Sequence, residues 1–397
     1  MITINKKWFI CFSCTTLMFC TVGLASSAFS VYQPYLIEII GLSNTEASMF
    51  ITIRSMCCLL CTFLVQIYIN KLGLRLGTAL ACICTAVAFF ILGLSNNFQS
   101  CAVSAVLMGL GYGFGGLVPV SIIIHRTFKK HMGLALSICS AGTGLSLIIC
   151  PPIATKLIEL YSLKVSLFLE AMFIAFAAAF IYFTLNSPVI SESNHKFKQS
   201  TNKTPFKSLH TSPESTLIFI AMVFIGTMGN TGWAHLGVLY STEGFSPNQV
   251  AFLISSVGVF LTIGKIVYGE CLDLIGSRKT LVFTSMLLFI GQTLACCANT
   301  RNIHIALVSM LCFGFSLPLS TMGPSIFSKD FVPPEQFDDE VRILQLAYML
   351  GALLFGPVPG LIADINGSYI PAFKILTVLC TSASLMIHKT YKRKQST

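Results

Sequence analysis

The sequence predicts an all-α membrane protein in which twelve transmembrane helices form two pseudo-symmetric six-helix bundles. Three observations carry this expectation: an apolar composition, a recurrence of apolar runs of membrane length, and one long polar interruption with six runs on either side. Hydrophobic residues make up 54% of the 397 residues and charged residues only 10%, with a mean hydropathy of +0.80. A water-soluble domain of that composition would expose a very large apolar surface.

A helix needs about 20 apolar residues to cross a hydrocarbon core of roughly 30 Å. Runs of that kind cover approximately 8–37, 47–69, 74–94, 101–124, 133–157, 165–185, 215–240, 250–272, 280–297, 303–327, 344–362 and 369–387. Lys6 and Lys7 before the first run resemble the start of a signal peptide. The length of that run and the eleven that follow it point instead to a retained helix.

The basic residues between runs set the expected orientation. Lys71, Arg75, Arg126, Lys129, Lys130, Lys196, Arg278, Lys279, Lys392, Arg393 and Lys394 fall on the side of the N-terminus, whereas the opposite loops hold little more than Lys156, Lys164 and Arg301. Under the positive-inside rule both termini lie in the cytoplasm and the protein sits in the cytoplasmic membrane. The formal charge of +10 then reflects topology and attraction to the anionic lipid bilayer, and no nucleic-acid partner is expected. Sixteen cysteines, including Cys11, Cys14, Cys57, Cys58 and Cys61, lie in or beside apolar runs. They read as packing residues, so no metal is expected.

Residues 188–213 are rich in Ser, Thr, Asn, Lys and Pro and read as a cytoplasmic linker between an N-terminal bundle, 1–187, and a C-terminal bundle, 214–397. The two parts echo each other. Asn70-Lys-Leu-Gly73-Leu-Arg75 is answered by Asp273-Leu-Ile-Gly276-Ser-Arg278-Lys279, and Gly113-Phe114-Gly115 by Gly314-Phe315-Ser316. A duplicated arrangement of this kind suits alternating access around a midplane site.

Within these runs a few polar residues stand at membrane depth. Lys265, in Leu261-Thr-Ile-Gly264-Lys265-Ile-Val-Tyr268, lies about 10 Å from Leu272 along a helix. A lone ammonium there either faces a protein cavity and a partner anion or snorkels to the inner interface. Arg54, in the second run, is read either as a second anion contact or as the structural partner of Glu170. Glu170 and His235 are the candidates for proton coupling, with a hydrogen-bonded structural imidazole as the alternative for His235. Tyr32, Gln33, Tyr35, Tyr112 and Tyr348 offer aromatic walls and donors, or serve as interfacial anchors.

The stretch Gly269-Glu-Cys-Leu-Asp273-Leu-Ile-Gly276-Ser-Arg278-Lys279 resembles the loop signature of the major facilitator superfamily. That resemblance implies the major facilitator fold, with Gly269, Asp273, Gly276, Arg278 and Lys279 shaping the cytoplasmic gate. Gly73 and Arg75 belong to the first-half copy, in which Asn70 replaces the expected aspartate. The segment Arg126 to Gly144, closing on Pro151-Pro152, and the stretch Gly351 to Gly360 followed by Asp364-Ile-Asn-Gly367-Ser-Tyr369 resemble the monocarboxylate transporters and the oxalate:formate antiporters. In that group a basic residue four positions before the signature glycine pairs with the substrate carboxylate, and Lys265 holds that place before Gly269. Met349 and Leu350 stand where the oxalate carriers have a second basic residue, Ser27 or Ala28 where the monocarboxylate transporters have a lysine, and Leu261 where they have an aspartate.

The expected function is therefore secondary transport of a small organic anion, a monocarboxylate, with a proton or counter-anion as coupled solute. A nitrate or other inorganic anion carrier and a multidrug exporter are the alternatives. No catalysis and no cofactor are expected, because no phosphate-cradling glycine loop or nucleotide-binding domain is present. The protein is expected to be a monomer.

Overall fold

The computed structural model describes residues 4–128, 132–185, 213–333 and 336–394. All regular structure in them is helical. The linker expected at 188–213 lies outside the described residues except for Pro213. The chain forms two compact units, Met1–Leu42 with Ile53–Pro205, and Ser43–Thr52 with Phe206–Thr397.

The first unit opens with α1 (Ile4–Met18), which continues through a π-helical segment, Phe19–Ser27, and one 3-10 turn, Ala28–Val31, into α2 (Tyr32–Ile40). The helix α3 (Asn44–Leu94) contains the second and third expected spans, with a sharp bend at Gly73 between them. α4 (Phe98–Gly115) and α5 (Leu117–Thr127) are two pieces of one span, broken where Gly116 takes an extended backbone. The unit ends with α6 (Met132–Leu160) and α7 (Leu163–Thr184). Asn97 and Ser162 cap α4 and α7 by accepting from Ser100 N–H at 2.9 Å and Val165 N–H at 3.2 Å.

The second unit repeats the plan. α8 (Pro213–Gly226) runs through a π segment, Thr227–Gly232, to α9 (Leu236–Thr242). α10 (Pro247–Ile275) starts with a Ser246/Gln249 capping box and Pro247 in its first turn, then bends at Gly276 into α11 (Ser277–Ala295). α12 (Ile303–Ser316) and α13 (Pro318–Phe331) again divide one span, with Pro318 opening the second piece. α14 (Phe337–Phe355) and α15 (Val358–Asn366) meet at Gly356-Pro357, and α16 (Ile370–Lys394) completes the unit.

Ten described helical stretches are long and apolar enough to cross a membrane. One of them, Asn44–Leu94, is 51 residues long and holds two of the expected spans. The ninth expected span corresponds to α11, whose first turn carries Arg278 and Lys279. The two bends also match in conformation: Gly73 has φ 76° and ψ 163°, Gly276 has φ 81° and ψ 160°. Only glycine enters that region readily, so the backbone demands it at both places.

Close helix packing inside each unit rests on small residues. A Cβ at Gly142 would collide with the Thr15 carbonyl, one at Gly113 with Cys61, and one at Gly314 with Phe260. Gly226 and Gly351 bring α8 and α14 together so tightly that a methyl group on either would overlap a backbone carbonyl, that of Tyr348 or of Val223.

Candidate functional site

In the second unit the candidate residues collect around interrupted helices. Lys265 lies on α10 next to Gly264, whose Cβ position would be 3.1 Å from the Gly314 carbonyl oxygen, just before the α12–α13 break. Its side chain is half-buried and has no hydrogen-bond or ion-pair partner among the described residues. An ammonium in a membrane-length helix is costly to bury without a counter-charge. A Cβ at Gly229 in the π segment would collide with the hydroxyls of Tyr348 on α14 and Ser320 on α13, which lie together there. Non-helical backbone at this depth is tolerated only where protein or a cavity surrounds it, and it leaves polar groups available to a solute.

The first unit shows the same kind of junction. Thr21, in the π segment, donates its hydroxyl to Leu17 O at 2.8 Å and to Gly115 O at 3.0 Å, satisfying a carbonyl at the α4–α5 break. Arg54 is 3% exposed, donates Nη1 to Ala25 O at 2.7 Å and stacks its guanidinium over Phe29 at 5.7 Å. Its Nε has no partner. The pairing with Glu170 that the sequence left open is not formed, because the π segment exposes the Ala25 carbonyl to the guanidinium instead. Tyr112 lies in the last turn of α4, where Gly116 folds close against its carbonyl oxygen.

Glu170, on α7, lies near Tyr32, whose hydroxyl is 3.0 Å from Ser166 Oγ. Its Oε2 is buried and unpartnered, as are both amide atoms of Gln33, the hydroxyl of Tyr35 and that of Thr155. Tyr32 is 1% exposed. Unsatisfied buried polar atoms in this number are unusual for a folded core.

The gate residues implied by the resemblance divide in two. Gly73, Arg75, Gly276, Arg278 and Lys279 are described, whereas the surroundings of Gly269 and Asp273 lie outside the described residues. Arg75 is held within the first unit, where Nε donates to the Tyr182 carbonyl at 2.7 Å and the guanidinium lies 4.0 Å from the Tyr182 ring centroid. It thereby neutralises the negative end of α7.

His235 belongs to a polar cluster that sequence reasoning did not assemble. Its Nδ1 is 2.7 Å from Thr231 O and its Nε2 2.8 Å from Ser48 Oγ. Thr231 O can only accept, so Nδ1 carries a proton. Ser48 in turn donates to Asn44 O at 2.8 Å, and Tyr369 donates to Asn44 Oδ1 at 2.9 Å. Asp364 closes the cluster over the start of α3. Ser43-Asn44-Thr45-Glu46 is the legible signal, since it has the form of a helix start with Ser43 N–H donating to Glu46 at 2.9 Å. All of these residues belong to the second unit.

Two units built on the same sequence of interrupted spans define a membrane transporter. The chain belongs to the Major Facilitator Superfamily, whose description it matches over residues 15–245 and 233–396. It is therefore a secondary transporter and not an enzyme. Among its relatives is human monocarboxylate transporter 12, 21% identical over 432 residues and covering 98% of this chain and 82% of that protein. The agnestins efflux protein AgnL12 of Paecilomyces divaricatus is 23% identical over 351 residues, covering 86% and 77% of the two chains. The solved nucleoside transporter NupG has the same fold, with a TM-score of 0.79 at 14% identity, over 98% of this chain and 100% of that one.

Proposed function

We propose that this protein carries a small organic anion, most simply a monocarboxylate, across the cytoplasmic membrane by alternating access, with both termini on the cytoplasmic side. The observation that carries the reading is Lys265: a half-buried cation in a membrane-length helix, without a counter-ion among the described residues. A carboxylate bound there gains a charge-assisted hydrogen bond in surroundings of low dielectric constant. Lysine is a point donor and not a bidentate fork, which favours one small carboxylate over a planar two-point grip. The monocarboxylate transporters among the relatives lend support at low identity. Tyr348 and Tyr112 are the proposed polar contacts along the route, and Arg54 adds positive potential in the first unit. Glu170 is the proposed proton carrier, on the strength of its unpartnered oxygen. Arg278 and Lys279, with Gly269 and Asp273, form the proposed inner gate, and the crowding of basic residues at that end supports the orientation.

The test is counterflow of labelled lactate, pyruvate, formate, oxalate and nitrate in proteoliposomes containing the wild type or Lys265→Gln. Loss of a hydrogen bond to a charged group removes about 1.5–3 kcal/mol, so monocarboxylate exchange falls about ten- to hundredfold. Undiminished exchange in the variant removes the anion site. Transport of nitrate in preference to every carboxylate moves the inorganic-anion reading to the front. Transport of an amphipathic drug that ignores Lys265 but needs Glu170 does the same for the exporter reading, which the efflux relative favours.

A further inference from the structure

Several polar side chains of the first unit fall into a line. Tyr32 and Tyr35 are three residues apart on α2, Thr155 and Glu159 four apart on α6, and Ser166 and Glu170 four apart on α7. At that spacing each pair occupies one helix face. The faces converge. Tyr32 lies near Glu170 with its hydroxyl 3.0 Å from Ser166 Oγ, and Tyr35 lies near Thr155, Glu159 and Glu38.

The line has a direction. α2 finishes and α7 begins at one end of the unit, where Ile39, Ile40, Leu163 and Lys164 line a common recess. Along their helices, Tyr32 and Glu170 stand about 12 and about 10 Å from Ile40 and Leu163. Tyr35 and Thr155 stand about 7 Å from Ile40 and Leu160, and Glu38 and Glu159 within about 3 Å of them. An acid at membrane depth is thus joined to acids at the helix ends by two levels of hydroxyl groups.

The hydrogen bonding along it is incomplete. Glu170 Oε2, the Tyr35 hydroxyl and Thr155 Oγ1 are buried without a partner, although Tyr35 and Thr155 are neighbours. Polar groups that face each other without bonding are suited to a bridging water, which takes two to four polar partners. Pro151 and Pro152 inside α6 cannot donate to the carbonyls one turn back, which adds acceptors to the same stretch. Arg54 and Lys164 are turned elsewhere, to Ala25 O and to the Phe168 ring, and the other titratable neighbours of Glu170 are the thiols of Cys20 and Cys150.

We propose that protons reach Glu170 from the end of the unit that carries Glu38 and Glu159, along a hydrated line formed by Tyr35, Thr155 and Tyr32. Each hydroxyl passes its own proton inward and takes another from the water behind it. The line is therefore restored after every transfer, and the Glu170 carboxylate ends protonated. The proposal rests on the reading of Glu170 as the acid that takes up the proton, and it adds the side from which the proton comes and the groups that conduct it.

Dicyclohexylcarbodiimide, an apolar reagent that modifies protonated carboxyl groups, tests it in vesicles of uniform orientation with separate buffers inside and outside. Modification of the Glu170 peptide is scored by mass spectrometry. Labelling is expected to rise at least fivefold when the side bearing Glu38 and Glu159 is acidified, and to ignore the pH of the other side. Tyr35→Phe combined with Thr155→Val removes both hydroxyls at nearly constant shape and abolishes that dependence. Tyr35→Phe alone changes a single oxygen and weakens it even if the double variant fails to fold. Labelling that follows the opposite side, ignores both sides, or keeps its full side dependence in Tyr35→Phe overturns the proposal. The carrier role fails separately: if Glu170→Gln retains lactate uptake driven by a pH gradient while wild-type labelling still follows the one side, the path stands and the coupling role falls.

Discussion

Asp364 and Asn44 are joined twice: one carboxylate oxygen of Asp364 accepts the Asn44 backbone N–H at 2.9 Å and its side-chain amide at 2.8 Å. The other oxygen accepts the Thr45 N–H at 2.9 Å and the Thr45 hydroxyl. An aspartate from α15 thus does for α3 what a helix cap normally does from within the same helix. Gly360 makes the approach possible, since a Cβ there would collide with Asn44 O and Ser48 Oγ. Replacement of Asp364 by Ala removes the cap, at about 0.5–2 kcal/mol. Thermal unfolding in detergent is expected to move down by a few degrees, and a cysteine introduced at Thr45 is expected to gain reactivity toward a water-soluble maleimide. No change in either readout refutes the capping role.

The proposed role of Glu170 as proton carrier separates coupling from binding. With Glu170→Gln the region keeps a hydrogen-bonding side chain for Tyr32 but loses the group that titrates. Uptake driven by an imposed pH gradient is expected to fall by at least tenfold, while exchange at equal pH on both sides persists. Parallel loss of both activities would place Glu170 in substrate binding or in folding, not in coupling.

The contact between Gly226 and Tyr348 gives a steric prediction. A valine at Gly226 has no room beside the Tyr348 carbonyl, and overpacking of this kind costs about 1–3 kcal/mol. The same substitution at Gly351 meets Val223 O and Thr227 N. Each variant is expected to unfold at lower temperature and to transport more slowly. Combined, they should cost less than the sum of their separate effects, because both push apart the same two helices. Strict additivity would argue that the two glycines act independently.

Gly276 gives a backbone prediction of the opposite type. Nothing lies within 4 Å of its Cβ position, so space is not the constraint, and its φ of 81° is. Gly276→Ala is expected to cost about 1–3 kcal/mol from conformation alone. A D-alanine introduced there by semisynthesis should restore wild-type stability, which a packing role would not allow.

Most of the fold was legible because a bilayer imposes a simple rule on sequence: enough consecutive apolar residues to cross it. That rule located the spans, and the repeated glycines at Gly73 and Gly276 marked equivalent bends. The interruptions inside spans were not legible. Phe19–Ser27 and Thr227–Gly232 are as apolar or as small in composition as their flanks, and a π segment carries no periodicity of its own. The start of α3 was placed three residues late, at 47 instead of Asn44, because the capping residues there are polar and the apolar run begins after them.

The candidates were legible where a charge stands out against hydrocarbon, as for Lys265, Arg54 and Glu170. The partners were not. Arg54 bonds to a carbonyl, that of Ala25, and backbone carbonyls have no sequence signature. His235, Ser48, Tyr369 and Asp364 are each ordinary alone. Sequence separations of 187 and 320 residues, between His235 and Ser48 and between Asp364 and Asn44, hid their association.

The π segment at Phe19–Ser27 has a bearing on how this helix tolerates change. Each α-helical residue advances the winding by about 100°. Each π turn holds about one residue more than an α turn, so deleting one residue between Phe19 and Ser27 lets a turn close to regular winding with little rotation of Ile4–Met18 relative to Tyr32–Ile40. Regular winding with no residue lost would instead rotate the two parts by about 100°, and the face that now sets Cys11 against Cys139, at 3.6 Å, would turn away from it. A single-codon deletion there is thus the milder change, whereas keeping every residue while losing the π winding reorients half a helix.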